Sequence, residues 1–349
     1  MKIAFTKIIK TSLILSTLFF LICFSCKKSA ITPTPPVTTT DSPFAKGADI
    51  SWLTEMEGAG KKFYTTGGTQ QDCFKLLHSL GMNTIRLRVW VNPAAGWNNK
   101  ADVVAKAIRA KNEGLRIMID FHYSDTWADP GNQTKPAAWA ALSISDMKTA
   151  LYNHTSEVLT ALKSANVQPE WVQVGNETND GMLWPEGKAS TNMNTFAQFI
   201  NAGYDAVKSV FPTAKVVVHI SNGYDNALFR WLFDGLKTNG AKWDVIGLSL
   251  YPNTTNWATL NTQCLTNMND MVARYSKEVM VVEVGMSWDQ ATTCKSFLTD
   301  LIAKTKSVTS KKGIGVLYWE PEAYSNWNGY TLGAFDNSGK PTVALDAFK

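Results

Sequence analysis

Eight short runs rich in β-branched and aromatic residues recur along the chain: GADISW (47–52), NTIRLRVW (83–90), RIMIDFHY (116–123), EWVQVGNE (170–177), KVVVHIS (215–221), WDVIGLSLY (243–251), VMVVEVG (279–285) and GIGVLYWE (313–320). Each reads as a strand. Between them lie segments such as QQDCFKLLHSLG, ADVVAKAIRAKNEG, TFAQFINAGYDAVKSVF and NALFRWLFDGLKTNG. Apolar residues there recur at helical spacing, and several segments end in Gly, a helix stop signal. Eight strand-like runs with helices between them over about 300 residues predict an α/β protein folded as a single (β/α)8 TIM barrel. A doubly wound sheet would share the alternation. It usually carries a Gly-rich phosphate turn after an early strand, and no G-x-G-x-x-G occurs here.

The N-terminus breaks the pattern. Lys2, Lys7 and Lys10 precede an apolar stretch from Thr11 to Cys23, with the length of a secretory signal core. Ser25 just before Cys26, in CFSCKK, resembles a lipoprotein processing site whose cysteine becomes the acylated first residue; the alternative is an ordinary signal peptide with an incidental cysteine. The run KKSAITPTPPVTTTDSPF is too rich in Pro and Thr for a helix and reads as an extended tether. The expected organisation is a signal peptide (1–25), a tether (26–44) and one folded domain (45–349). It would be exported and lipid-anchored through Cys26 at a bacterial membrane, on the cell surface or the periplasmic face. Export permits disulfides, but Cys73, Cys264 and Cys294 leave an odd number. Cys264 and Cys294 head successive predicted helices and could pair; buried free thiols are the alternative.

The net charge of +5 is spread along the sequence with no basic block, which excludes nucleic acid as the expected partner. Thirteen Trp change the picture more. Trp52, Trp90, Trp127, Trp288 and Trp319 sit beside likely strand ends. Some serve core packing; others offer stacking platforms for flat apolar ligand faces such as sugar rings.

In a barrel the active site lies where the strands end and the βα loops start. That rule selects Asp49, Arg86 and Arg88, Asp120 and His122, Asn176 and Glu177, His219, Tyr251, Glu283 and Trp319, in strand order. Burying such groups without partners is expensive, so they are expected to meet each other or a ligand. Glu177 and Glu283 end strands four and seven. Glycoside hydrolysis needs such a pair, one carboxyl to protonate the leaving oxygen and one to attack the sugar carbon or activate water. Structural ion pairs with neighbouring Arg residues are the other reading of each Glu taken singly. Metal hydrolysis is poorly served by a chain with four His and neither H-x-H nor H-E-x-x-H. A serine nucleophile lacks its G-x-S-x-G elbow.

The stretches GADISWLTEMEGAGKKFY, NTIRLRVWVNP, DFHYSDTWADPGNQTKPAAW, QVGNETNDGMLWPEG, GLSLYP, VLYWEPE and LGAFDNSGKP resemble the successive motifs of family 53 glycoside hydrolases, endo-β-1,4-galactanases of the retaining barrel clan. The resemblance runs from about Lys46 to the C-terminus. The clan pattern alone, an Asn-Glu after strand four and a Glu after strand seven, would not separate galactanase from mannanase or cellulase.

The resemblance implies that Asn176 holds the 2-hydroxyl of the reacting sugar, that Glu177 is general acid and then general base, and that Glu283 is the nucleophile. Arg86 would keep Glu283 ionised, with Arg88 on the same strand face able to share that role; Tyr251 would donate to Glu283 and Trp319 would floor the reacting sugar. Asp49, His122 and His219 fit positions near that sugar, as ligands or as supports. Trp90, Trp127 and Trp327 would wall neighbouring galactose units, whose axial 4-hydroxyl leaves one face largely apolar. The expected partner is β-1,4-galactan, with membrane contact only through the lipid anchor, and the chain is expected to act as a monomer. No cofactor or metal is expected: some bacterial relatives carry a calcium loop after strand seven, but VGMSWDQATTCK offers only Asp289.

Overall fold

The computed structural model describes residues 43–349; the signal peptide, Cys26 and the tether up to residue 42 lie outside the described residues. Eight strands pair in parallel in chain order and close into a barrel, the last against the first. They are β1 (Ala45–Asp49), β2 (Thr84–Val89), β3 (Arg116–Phe121), β4 (Trp171–Val174), β5 (Lys215–Ile220), β6 (Val245–Leu250), β7 (Glu278–Val284) and β8 (Gly313–Trp319). Helices α1 (Leu53–Gly58), α2 (Cys73–Ser79), α3 (Lys100–Asn112), α4 (Ile144–Ser164), α5 (Ala189–Val210), α6 (Asn226–Thr238), α7 (Trp257–Tyr275) and α8 (Ala291–Lys306) alternate with them. Each strand stops one to three residues short of the end of its run, and the residues beyond lead into the βα loops.

Local chemistry sets the helix starts. Asn99, Ser143 and Asp225 precede α3, α4 and α6, and each side chain accepts a hydrogen bond from a backbone N–H of the first turn.

The barrel interior has two levels. Ala45, Met118, Trp171, Val217, Val245, Met280, Val282 and Leu317 form a buried apolar plug, separate from the larger core between strands and helices. Above the plug the inward positions turn polar: Asp49, Arg86, Arg88, Asp120, Gln173, His219 and Ser249 are all buried. Register sets them level. Asp49 lies opposite Arg86 and Trp319, and Asp120 opposite Arg88 and Gln173. Strand β7 departs from strict alternation. Met280 and Val282 both join the plug, so a period of two would send Glu283 outward. The register with β6 slips at Leu248/Ser249, and Glu283 instead pairs with Ser249, a bulge-like irregularity that re-aims a side chain at the rim.

Cys73, Cys264 and Cys294 are buried free thiols, so the pairing open to Cys264 and Cys294 is not formed. Cys264 lies inside α7 rather than at its head, and the Cys294 sulfur faces the Tyr318 hydroxyl at 3.8 Å.

Candidate active site

Arg86 is the hub of the upper level. Its Nη1 lies 2.8 Å from both Asp49 Oδ2 and Glu283 Oε1, and its Nη2 lies 2.9 Å from Asp120 Oδ2. Nη2 also donates to Gln173 Oε1 at 2.9 Å and Asn176 Oδ1 at 3.0 Å. Burial opposes a charge there, but Asp120, Glu283 and Asp49 outweigh it and hold Arg86 above the usual guanidinium pKa. Against its own burial, Asp120 is held below the usual carboxylate range by Arg86 and His122.

The rim carboxylates face one another: one oxygen of Glu177 lies within 4.8 Å of one of Glu283. Their surroundings differ. Glu283 is 5% exposed, meets Arg86 through Oε1 and accepts from the Tyr251 hydroxyl through Oε2 at 3.0 Å. Glu177 is half-buried and accepts from Ser249 Oγ through Oε1 at 2.6 Å. Burial pushes both carboxyls up; Ser249 and then Arg86 pull Glu177 down, while Arg86 pulls Glu283 down and Glu177 pushes it further up. Two such groups titrate as a unit. The direct ion pair and the Tyr251 bond favour the negative charge on Glu283, leaving the shared proton to Glu177.

The turn after β4 explains how Asn176 and Glu177 diverge. Gly175 has φ +82°, and a Cβ there would meet Thr178 Cγ2 at 2.6 Å. Glu177 itself has φ +43°, left-handed backbone that costs a non-glycine residue about 1–3 kcal/mol and is characteristic of functional sites. Asn176 thereby turns inward, giving its Nδ2 to Ala128 O at 2.8 Å, while Glu177 opens to the groove.

His122 Nδ1 accepts from Ala128 N and Trp90 Nε1, which leaves Nε2 to donate to Asp120 at 3.0 Å. Burial lowers its pKa against Asp120's pull. His219 is fully buried and held well below the usual value, first by burial and then by Arg86. Asp49 is fully buried against Arg86 and Ser51, a support rather than a sugar ligand.

A cavity of about 190 Å³ lined by His122, Trp127, Asn176, Glu177, Tyr251, Glu283 and Trp319 holds the carboxylate pair. Trp127 and Trp319 also line a cleft of about 550 Å³ with Trp52, Trp90, Trp97, Glu55, Asn328 and Tyr330. The Trp52, Trp90, Trp127 and Trp319 rings form a contiguous set, with neighbouring centroids 5.2–5.9 Å apart.

Two expected site residues lie elsewhere. Arg88 does not share Arg86's role. It is fully buried, pairs with Glu320 at 3.0 Å and faces the rings of Trp52, Trp90 and Trp127. Trp327 lines neither cavity. It packs against the core with Lys61 over its ring, and its neighbours Asn328, Gly329 and Tyr330 face the cleft instead.

Sequence reasoning passed over Ser249, Gln173, Glu320 and Glu322. The first two sit at inward positions of apolar strands, a period-two signal that could have found them. Glu320 and Glu322 are fully buried. Burial, more than any neighbour, raises Glu320 to about 7 and lifts Glu322 well above the usual range. Among the described residues Glu322 finds no N–H or O–H donor from another residue, and its carboxyl meets that of Glu320, which after burial raises it further.

Glu177, His219 and Glu283 bring ligand-type atoms within 4.8 Å of one another. Both His219 nitrogens are already engaged, Nε2 with Ser249 Oγ at 2.7 Å and Nδ1 with Gln173 and Asn176. The imidazole is therefore not aimed as a metal ligand.

The chain matches Glycosyl hydrolase family 53 over residues 45–348. It is 36% identical over 316 residues to an arabinogalactan endo-β-1,4-galactanase of Cellvibrio japonicus, covering 80% of this chain and 81% of that protein. It is 33% identical over 332 residues to one of Thermothelomyces thermophilus, covering 87% and 98%. A solved fungal β-1,4-galactanase superposes with a TM-score of 0.80 at 32% identity, covering 87% of this chain and 98% of that one.

Proposed function

The chain belongs to glycosyl hydrolase family 53, and on that footing we propose that it cleaves β-1,4-galactosidic bonds within pectic galactan by a retaining double displacement. The observation that carries this reading is the pair of facing carboxyls with unlike neighbours. Retaining enzymes keep the two groups about 5–5.5 Å apart, whereas inverting ones need about 6.5–9.5 Å to admit a water. The nearest oxygens of Glu177 and Glu283 lie within 4.8 Å of each other, in keeping with the first class.

In the first step a Glu283 oxygen attacks the anomeric carbon while Glu177 gives its proton to the glycosidic oxygen; the C–O bond breaks and a galactosyl ester forms. Asn176 meets the 2-hydroxyl as the ring flattens. In the second step Glu177, now ionised, takes a proton from water, the water oxygen bonds to the anomeric carbon, and Glu283 leaves as a carboxylate. Arg86 and Tyr251 hold that charge in a water-poor site, where fixed donors act most strongly. Trp319 and the ring set beside it supply stacking faces for successive galactose units. Export and lipid anchoring at Cys26 complete the proposal, placing the enzyme at the membrane where the polymer is met.

A substrate panel tests it. Reducing ends released from galactan, but not from mannan or cellulose, support the reading. Release from mannan or glucan alone, or binding without release, overturns it.

A further inference from the structure

Ser249 lies outside the cavity lining yet touches the residue that does the proton chemistry. It is 1% exposed, and its Oγ sits 2.6 Å from Glu177 Oε1 and 2.7 Å from His219 Nε2. A hydroxyl has a single hydrogen, so it can donate to only one of these neighbours. Which one it serves is decided behind His219.

Gln173 Oε1 accepts from Arg86 Nε at 3.2 Å and Nη2 at 2.9 Å. Its Nε2, with two hydrogens, faces three acceptors: Gly175 O at 3.0 Å, Asn176 Oδ1 at 3.0 Å and His219 Nδ1 at 3.1 Å. The backbone N–H of Glu177 also points at Nδ1, at 3.4 Å. Asn176 Oδ1 lies 3.0 Å from Nδ1, but that oxygen already accepts from Arg86 and Gln173. The Glu177 N–H is thus a fixed donor at Nδ1, with the Gln173 amide beside it. A neutral imidazole that accepts there carries its hydrogen on Nε2, and Nε2 then donates to Ser249 Oγ. With the Nε2–H facing its oxygen, the Ser249 hydroxyl has no acceptor at His219 and turns its hydrogen to Glu177.

Granting Glu177 as the acid/base, we propose that Ser249, held as a donor by His219, is a positioning residue that reserves Oε1 of Glu177 as an acceptor and confines the catalytic proton to Oε2. The consequence differs between the two steps. In the acid step the proton stands on the one oxygen free to face the leaving group. In the base step the ionised carboxylate gains a charge-assisted bond, which the neutral acid gains only weakly. Ser249 therefore offsets part of the rise that burial imposes on Glu177. The other groups that face Glu177 are Arg86 on β2, Asp120 on β3, Asp129 in the following loop, His219 on β5, Tyr251 after β6 and Glu283 on β7. Of these, only Arg86 is a cation, and it pairs directly with Asp49, Asp120 and Glu283.

The test uses the full-length chain and linear galactan. The basic limb of kcat/KM reports the acid form of Glu177. Ser249→Ala is expected to move that limb upward by about 0.5–1 pH unit and to lower kcat about tenfold, the scale of one lost charge-assisted bond. Ser249→Thr, which keeps the hydroxyl, is expected to leave the limb in place. Nitrogen-15 NMR of His219 in the unmodified protein is expected to show hydrogen on Nε2, a readout that needs no variant to fold. A limb unmoved in Ser249→Ala but lost in Glu177→Gln overturns the role of Ser249 and leaves the acid/base reading standing. A limb that persists in Glu177→Gln overturns that reading and the proposal with it. Hydrogen on Nδ1 overturns the proposal alone, because Ser249 would then donate to His219.

Discussion

The guanidinium carbon of Arg88 lies 4.2 Å from the ring centroid of Trp127, and 5.0 Å and 5.6 Å from those of Trp90 and Trp52. Three indoles that face the cleft are thus tied from below by one buried cation. Among the described residues Arg88 Nε and Nη2 have no hydrogen-bond acceptor, so the rings take the place of polar partners. Contacts of this kind contribute about 0.5–2 kcal/mol each when desolvated. Arg88→Lys keeps the charge paired with Glu320 but loses the planar fork. Its expected effect is a several-fold rise in KM for long galactan with kcat little changed, read from steady-state kinetics. A fall in kcat with KM unchanged would place Arg88 in the chemistry instead.

The Glu320–Glu322 pair predicts an unusual pH response of stability. Both carboxyls are raised by folding, so the folded state binds protons more tightly than the unfolded one. Stability from this pair is present below the unfolded carboxyl value of about 4.3 and is lost as pH rises through the folded values, about 7 for Glu320. Glu322→Gln supplies a permanent donor to Glu320. It is expected to gain about 1–3 kcal/mol over the parent protein at pH 8 and little at pH 4, as measured by denaturant unfolding. Equal differences at both pH values would show that the pair does not share a proton.

Arg86→Lys separates the ion pair from the bulk of the hub. A lysine is a single charge without the fork that spans Asp49, Asp120 and Glu283. With the cation's hold on Glu283 weakened, its carboxyl rises, and the acidic limb of the pH–rate profile moves to higher pH. Activity at neutrality is expected to fall about 100-fold or more. An unmoved acidic limb would mean that Arg86 does not set the charge on Glu283.

Glu177→Ala is expected to slow natural galactan by about 10²–10⁴-fold, the range of general acid–base catalysis. Aryl galactosides with good leaving groups suffer less in the first step, and azide, which needs no base, restores turnover on them. Equal losses across leaving groups without azide rescue would remove Glu177 from this role.

Fold and site were legible in the sequence to different depths. The barrel is visible because parallel strands buried on both faces leave continuous apolar runs, and because polar residues recur near the ends of those runs, at the rim. Asn176, Glu177, Tyr251 and Glu283 stand out for that reason. Arg86 and Arg88 do not separate in sequence, since both occupy the inward face of β2. What divides them is the company each keeps: Asp120 and Glu283 for one, Glu320 and three indoles for the other. The aim of Glu283 depends on the register slip beside Ser249, which leaves no mark in residue types. Trp327 sits between left-handed Asn326 and Asn328, a backbone path that turns its ring to the core and brings its neighbours to the cleft. Buried acids such as Glu322 are the hardest to foresee, because nothing local distinguishes them from solvated loop residues.

The account stands on two acidic groups from distant parts of the chain working in turn on one sugar, and covalent trapping examines this directly. The protein is incubated with a 2-deoxy-2-fluoro-galactobioside bearing an activated leaving group, digested, and mapped by mass spectrometry. The mass of the fluorosugar chain is expected on the peptide containing Glu283, as an ester that turns over slowly to the β-anomer. An adduct on another residue, or steady hydrolysis to the α-anomer with no adduct, would contradict it.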